Sequence, residues 1–127
     1  YLGEIRSPDV ASEALRAATS GHLVLSTIHA NNITDAINSV VKYASSTAMS
    51  EELAYDLFSR GMLGVLHQTL HGVKNKTPLV SYLFTNPDST RGDQVRGIIK
   101  GGKLNLATSI ETQMTRMSRG KNIFPEI

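Results

Sequence analysis

The strongest constraint on the fold is a helix fenced between two strand-like segments near the start of the chain. Pro8 has no amide hydrogen to donate and holds φ near the helical value, so Ser7-Pro8 reads as the N-cap and first residue of a helix. Val10, Ala14, Ala17 and Ala18 then recur at helical spacing, and Gly21 supplies a residue able to adopt the left-handed conformation that ends such a run. The segment His22-Leu-Val-Leu-Ser-Thr-Ile-His29 is short, aliphatic and apolar on both parities, which predicts a strand covered on both faces of a parallel sheet. Gly3-Glu4-Ile5-Arg6 reads as the end of an earlier strand, so the whole stretch predicts a β–α–β unit.

Open α/β sheets bind their ligands in the crevice beyond the carboxyl ends of the strands, where this unit puts Glu4 and His29. A carboxylate at the end of an apolar strand costs free energy unless it is paired, hydrogen-bonded, or turned toward water or a metal. Two readings of Glu4 follow from the local pattern. It orients an attacking water beside a phosphate group, or it forms an ion pair with Arg6 or caps a neighbouring element. His22 and His29 cannot share an ion. Seven strand residues separate them by roughly 23 Å, and the odd offset sends their side chains to opposite faces. His29 reads as a crevice residue, and His22 as a strand-start residue or a satisfied core histidine.

Gly3-Glu4-Ile5-Arg6, followed by Ala14-Leu-Arg-Ala-Ala-Thr-Ser-Gly-His-Leu-Val-Leu-Ser-Thr-Ile-His-Ala-Asn31, closely resembles the ATPases of type II and type IV secretion systems, which include pilus assembly and retraction motors. In that family the first segment is a modified Walker B strand end with glycine in place of the usual aspartate, and the second is the histidine box. The resemblance implies a partial RecA-like (P-loop NTPase) parallel sheet in residues 1–45 and a mainly helical C-terminal subdomain with a β-hairpin in residues 46–127. It implies Glu4 as the water-activating base and His29 as γ-phosphate sensor. It also implies His22 as a second histidine-box position, Thr27 beside the nucleotide, and Arg6 and Arg16 near the nucleotide or a subunit boundary. ATP with Mg2+, a hexameric homo-oligomer and inner-membrane secretion or pilus platform partners come with the same resemblance, as does a cytoplasmic place peripheral to that membrane. Most relatives carry aspartate after the arginine; Ser7 caps the helix equally well but removes one negative charge beside the site. The family also has a phosphate-binding loop upstream of the Walker B strand. The chain therefore reads as part of a longer protein, expected to hydrolyse little or no ATP alone. A non-catalytic interaction module built on the same half-sheet is the competing reading.

Composition narrows the remaining classes. In 127 residues there is no cysteine, which excludes disulfides and thiolate metal sites. No apolar run approaches the roughly 18 residues that span a bilayer, and no leader-like segment opens the chain. The formal charge is only +2, but residues 1–60 hold seven acidic and four basic side chains while residues 61–127 hold four and nine. The basic second half reads as a solvated surface or as a docking face for an acidic partner or neighbouring subunit. Aromatic residues are not interleaved with that charge, so nucleic acid is not expected.

Further along, Asn32 and Asp35 resemble a capping pair for a helix to about Tyr43, with Ala36, Ile37, Val40, Val41 and Ala44 as its buried stripe. Ser50-Glu51-Glu52 opens another, with Leu53, Ala54, Leu57 and Phe58 inward. Met62 to Leu70 is ambiguous by periodicity, and the family resemblance favours a strand from Gly64 that pairs with Leu79 to Thr85 as a hairpin. Asn86-Pro87-Asp88 reads as a turn, and Val95, Ile98 and Ile99 suggest a short helix stopped at Gly101-Gly102. A last helix spans about Leu106 to Ser118, with Ile110, Met114 and Met117 as core. His67 and His71 share a face but lack a third ligand, a weak case for a metal. Gly97-Ile-Ile-Lys-Gly-Gly-Lys103 imitates a phosphate loop, yet Leu104 stands where the magnesium-binding hydroxyl belongs.

Overall fold

A computed structural model of the chain describes residues 1–46, 49–86 and 93–124. In chain order the elements are α1 (Pro8–Thr19), α2 (Ile33–Ser45), α3 (Glu51–Gly61), β1 (Gly64–His71), β2 (Thr77–Phe84), α4 (Gln94–Lys100) and α5 (Ala107–Ser118). The helix starts follow from side-chain caps. Ser7 Oγ accepts from the Val10 amide, Asn32 Oδ1 from Asp35, Ser50 Oγ from Leu53 and Asp93 Oδ1 from Val95, each satisfying an amide that the first turn leaves without a partner. Pro87 and Asp88 of the expected turn lie outside the described residues.

The core is built mainly by helices. Ala11 and Leu15 of α1, Ile33, Ile37 and Val41 of α2, and Ala54 and Leu57 of α3 form one buried cluster, which Leu83, Val95, Ile99 and Leu106 extend. Ile37 has no accessible surface, and burying a side chain of that size contributes roughly 1.5–3 kcal/mol. The α3 stripe is rotated from the sequence expectation: Tyr55 is buried, while Leu53 is partly exposed. Burying the ring is possible because its hydroxyl donates to Asn38 Oδ1 at 3.0 Å across to α2.

The two amino-terminal segments run parallel as expected and meet in an isolated bridge between Glu4 and Thr27, the sheet among the described residues being the later hairpin. The Leu2 amide donates to the Leu25 carbonyl, Thr27 to Gly3, and Ile5 to Thr27. Covering of both faces is not what the structure shows. Leu23 and Leu25 are 82% and 67% exposed, whereas Val24, Ser26 and Ile28 are half-buried. The helices cover one face, and among the described residues nothing covers the odd-numbered face. Gly3, in the first of these segments, has φ +67, a conformation that a side chain would strain. That accounts for glycine immediately before the carboxylate.

β1 and β2 form an antiparallel two-stranded ribbon, with Gly64 opposite Phe84 and His71 opposite Thr77. Phe84 lies over Gly64 so closely that an added Cβ would fall 2.5 Å from its ring. At the base of the ribbon, Gln113 of α5 imitates a neighbouring strand. Its Oε1 accepts from the Phe84 amide and its Nε2 donates to the Phe84 carbonyl, both at 2.8 Å. Gln113 is accordingly the buried residue of α5, and Met117, expected in the core, is half exposed. A polar residue won the buried position because an unpaired strand end needed satisfying.

Arg96 of α4 ties the carboxyl end of α3 to the end of β2. Its Nη1 donates to the carbonyls of Ser59 (2.6 Å) and Arg60 (2.9 Å), and its Nη2 to Thr85 Oγ1 (2.9 Å). Asp93 stands 3.5 Å from the Arg96 Nε and also accepts the amides of Asn86 and Val95. The seven-residue imitation of a phosphate loop begins inside α4 and runs past its carboxyl end instead of leading from a strand into a helix start, so the resemblance to that motif is one of composition.

Candidate functional site

The parallel register sets Glu4 beside the strand that ends in His29. Glu4 Oε1 lies 2.8 Å from His29 Nε2, and Arg6 Nε donates to Glu4 Oε2. The ion pair with Arg6 that the local pattern allows is present, and Glu4 also faces the histidine at the end of the neighbouring segment.

Accessibility separates these groups. The Glu4 side chain is 20% exposed, against 79% for Arg6 and 94% for His29. The carboxylate is thus largely sheltered while its two partners extend into solvent. Thr27, whose backbone bridges to Glu4, is exposed between them. Beside His29 opens a polar cleft of about 490 Å³ lined by Asn31, Asp35, Asn38, Ser39 and Lys42. At Ala30, His67 Nε2 of β1 lies 2.9 Å from the backbone carbonyl.

The structure does not bring all six candidate residues together. Glu4, Arg6, Thr27 and His29 gather at the carboxyl ends of the two strands. Arg16 and His22 stand at the other end of the second strand, in a separate cleft of about 410 Å³ with Asp9, Ser12 and Glu13. There His22 Nδ1 lies 3.4 Å from Ser20 Oγ. His22 is exposed, which removes the core reading.

The exposed Arg6 guanidinium, His29 imidazole and Thr27 hydroxyl around Glu4 can offer N–H and O–H donors to an anion whose oxygens accept. Among the described residues no three His, Cys, Asp or Glu side chains are grouped to hold a metal ion, His67 and His71 included. Sequence reasoning missed the Asp35–Lys42 cleft and the Ala30–His67 tie. The first consists of ordinary polar positions on the outer face of a helix, and the second depends on a tertiary approach that spacing does not encode.

A family profile described as "Type II/IV secretion system protein" matches residues 1–88. Among curated proteins, the chain is similar to a twitching motility protein of Neisseria gonorrhoeae, 27% identical over 112 residues, which covers 86% of this chain and 28% of the relative. It is also similar to type II secretion system protein E of Pseudomonas aeruginosa, 41% identical over 69 residues, covering 54% of this chain and 12% of the relative. Among solved structures, the pilus retraction motor PilT with bound ADP superposes with a TM-score of 0.64 at 27% identity, covering 91% of this chain and 31% of that one. The Legionella pneumophila ATPase DotB reaches the same TM-score at 18% identity, a likeness of fold, over 94% of this chain and 34% of its own length. The chain thus spans about a third or less of the proteins it matches.

Proposed function

Because the chain belongs to the type II/IV secretion system protein family, we propose that it forms the Walker B and histidine-box half of an ATPase motor core. The observation that carries this reading is the 2.8 Å approach of His29 to Glu4 across adjacent parallel strand ends. Glu4 is the general base that orients and deprotonates the attacking water. His29, hydrogen-bonded to the base and open to solvent, senses the γ-phosphate and reports its presence to the carboxylate. Arg6 and Thr27 offer donors to phosphate oxygens. When bound with ATP, Mg2+ supplies charge neutralisation on those oxygens. Arg16 and His22, in their separate cleft, suit a subunit boundary of a hexameric ring better than the same phosphates.

In this reading the whole protein turns ATP hydrolysis into pilus assembly or retraction, secretion or conjugal transfer, in the cytoplasm, docked on inner-membrane platform components. No helix among the described residues is long and apolar enough to cross a membrane, which is compatible with attachment through partners. Residues 1–127 alone are expected to release little or no phosphate from ATP, and a rate matching a full-length relative would contradict that. The gene upstream of the Tyr1 codon supplies the decisive test. A G-x-x-x-x-G-K-[ST] segment about 60 residues before Glu4 is expected. In the protein so extended, Glu4→Gln should lower turnover at least about 100-fold. Absence of that segment would leave the non-catalytic interaction module as the better reading.

A further inference from the structure

We propose that His67 is a positioning residue for the site around Glu4: its ring holds the main chain that carries His29, and so sets where the His29 imidazole meets the carboxylate. Its effect on turnover rests on the ATPase reading; the hydrogen bond behind it does not. His67 Nε2 lies 2.9 Å from the Ala30 carbonyl oxygen, and since a carbonyl only accepts, the ring N–H donates. The contact joins residues 37 apart in sequence, from the hairpin to the loop that follows His29.

β1 is well placed to hold that loop. Val65, two residues before His67 and therefore on the same side of the strand, packs against the core cluster. Ser81 stands opposite His67 in the ribbon. One contact fixes the depth of the strand and the other its register, so the half-buried His67 ring extends from a fixed backbone. The loop has less to fix it. Thr27 bonds to Gly3 and Ile5, Ile28 packs against the core, and Asn32 caps α2 through the Asp35 amide. Between them, among the described residues, no backbone hydrogen bond meets His29, Ala30 or Asn31, and His67 supplies the side-chain bond to their main chain.

The His29 ring depends on that main chain for its place. It meets Glu4 Oε1 at 2.8 Å, yet its side chain is 94% exposed, so packing does not choose its rotamer. A hydrogen bond weakens steeply as its angle closes, and a misplacement of about 1 Å in a reacting group can cost 100-fold in rate. Holding the Ala30 carbonyl restrains the residue joined directly to His29, where such a shift would begin. The role does not require His67 to titrate, since the neutral ring with its proton on Nε2 and the charged ring both donate.

ATP turnover by the protein extended upstream of Tyr1 tests this, with ADP affinity as the check that the site is folded. His67→Ala should lower kcat at least about tenfold and leave ADP affinity within about twofold, because ADP has no γ-phosphate for His29 to meet. His67→Gln, whose amide nitrogen can donate from nearly the same place, should recover most of the loss. In a His29→Ala background, His67→Ala should have no further effect, as expected of a residue that acts only through its neighbour. His71→Ala, on the same strand and exposed, should change nothing. Additive losses overturn the proposal, as does full turnover in His67→Ala where Glu4→Gln abolishes it; both leave the ATPase reading standing. If Glu4→Gln and His29→Ala both keep full turnover, that reading falls instead, and NMR of the histidine rings in the 127-residue chain decides the positioning. His67→Ala should shift the His29 ring nitrogens, and unmoved signals overturn the proposal.

Discussion

Two guanidinium–carboxylate pairs in this chain use the same chemistry to opposite ends. Around Arg96 and Asp93 almost every direction is occupied: two helix carbonyls, a threonine hydroxyl and two amides surround a pair that is mostly buried. Around Glu4 the carboxylate is equally engaged, but its partners Arg6 and His29 lie almost wholly in solvent. The first pair is enclosed, with the buried Arg96 Nε left without a hydrogen-bond partner of its own, and it holds α3, β2 and α4 together. The second is fixed at one end and open at the other, as a site needs to be. A carboxylate and a cation in contact therefore identify function only through what surrounds the cation.

The sharpest way to break that contrast is to remove each arginine. Arg96→Ala should cost about 3–5 kcal/mol, because it strands the buried Asp93 and the carbonyls of Ser59 and Arg60; urea unfolding measures it. Gln113→Ala comes next, at about 1–3 kcal/mol, since the Phe84 backbone loses both partners, and exchange of the Phe84 amide should accelerate with it. Arg6→Ala is expected to change stability by less than about 0.5 kcal/mol. Should it cost as much as Arg96→Ala, the pair at Glu4 is structural and the division between the two regions fails.

The smallest effect concerns Tyr55. Burial first, and the nearby Glu51 carboxylate second, raise its hydroxyl pKa above the usual value of 10.0. The folded state thus holds the proton more tightly than the unfolded one. That contribution is fully present below about pH 10 and is lost as pH rises through the higher folded value. Tyr55→Phe should flatten the alkaline limb of a stability profile measured across that window.

Much of this architecture was legible before any coordinates. Ser7-Pro8, Asn32 and Ser50 announced the helix starts because a cap is a local transaction between a side chain and an amide three residues on. Glu4 and His29 were legible as neighbours because parallel strands joined by one helix bring their carboxyl ends together. The misreadings arose where a partner comes from elsewhere in the chain. Leu23 and Leu25 have the pattern of buried strand residues, but pattern cannot supply the layer that would cover them. Met117 lost the interior to Gln113 because a hydrogen-bonding demand at Phe84, distant in sequence, outweighed helical spacing. Arg96 gave no signal at all, since its acceptors are main-chain carbonyls that any residue type provides.

The hydrogen bond from His67 to the carbonyl of Ala30 has a mechanical consequence. Ala30 directly follows His29, so the ribbon and the imidazole are anchored to the same few atoms of main chain. A pull along β1 must either stretch that tether or carry the histidine with it, which makes the ribbon a handle on the groups that contact Glu4.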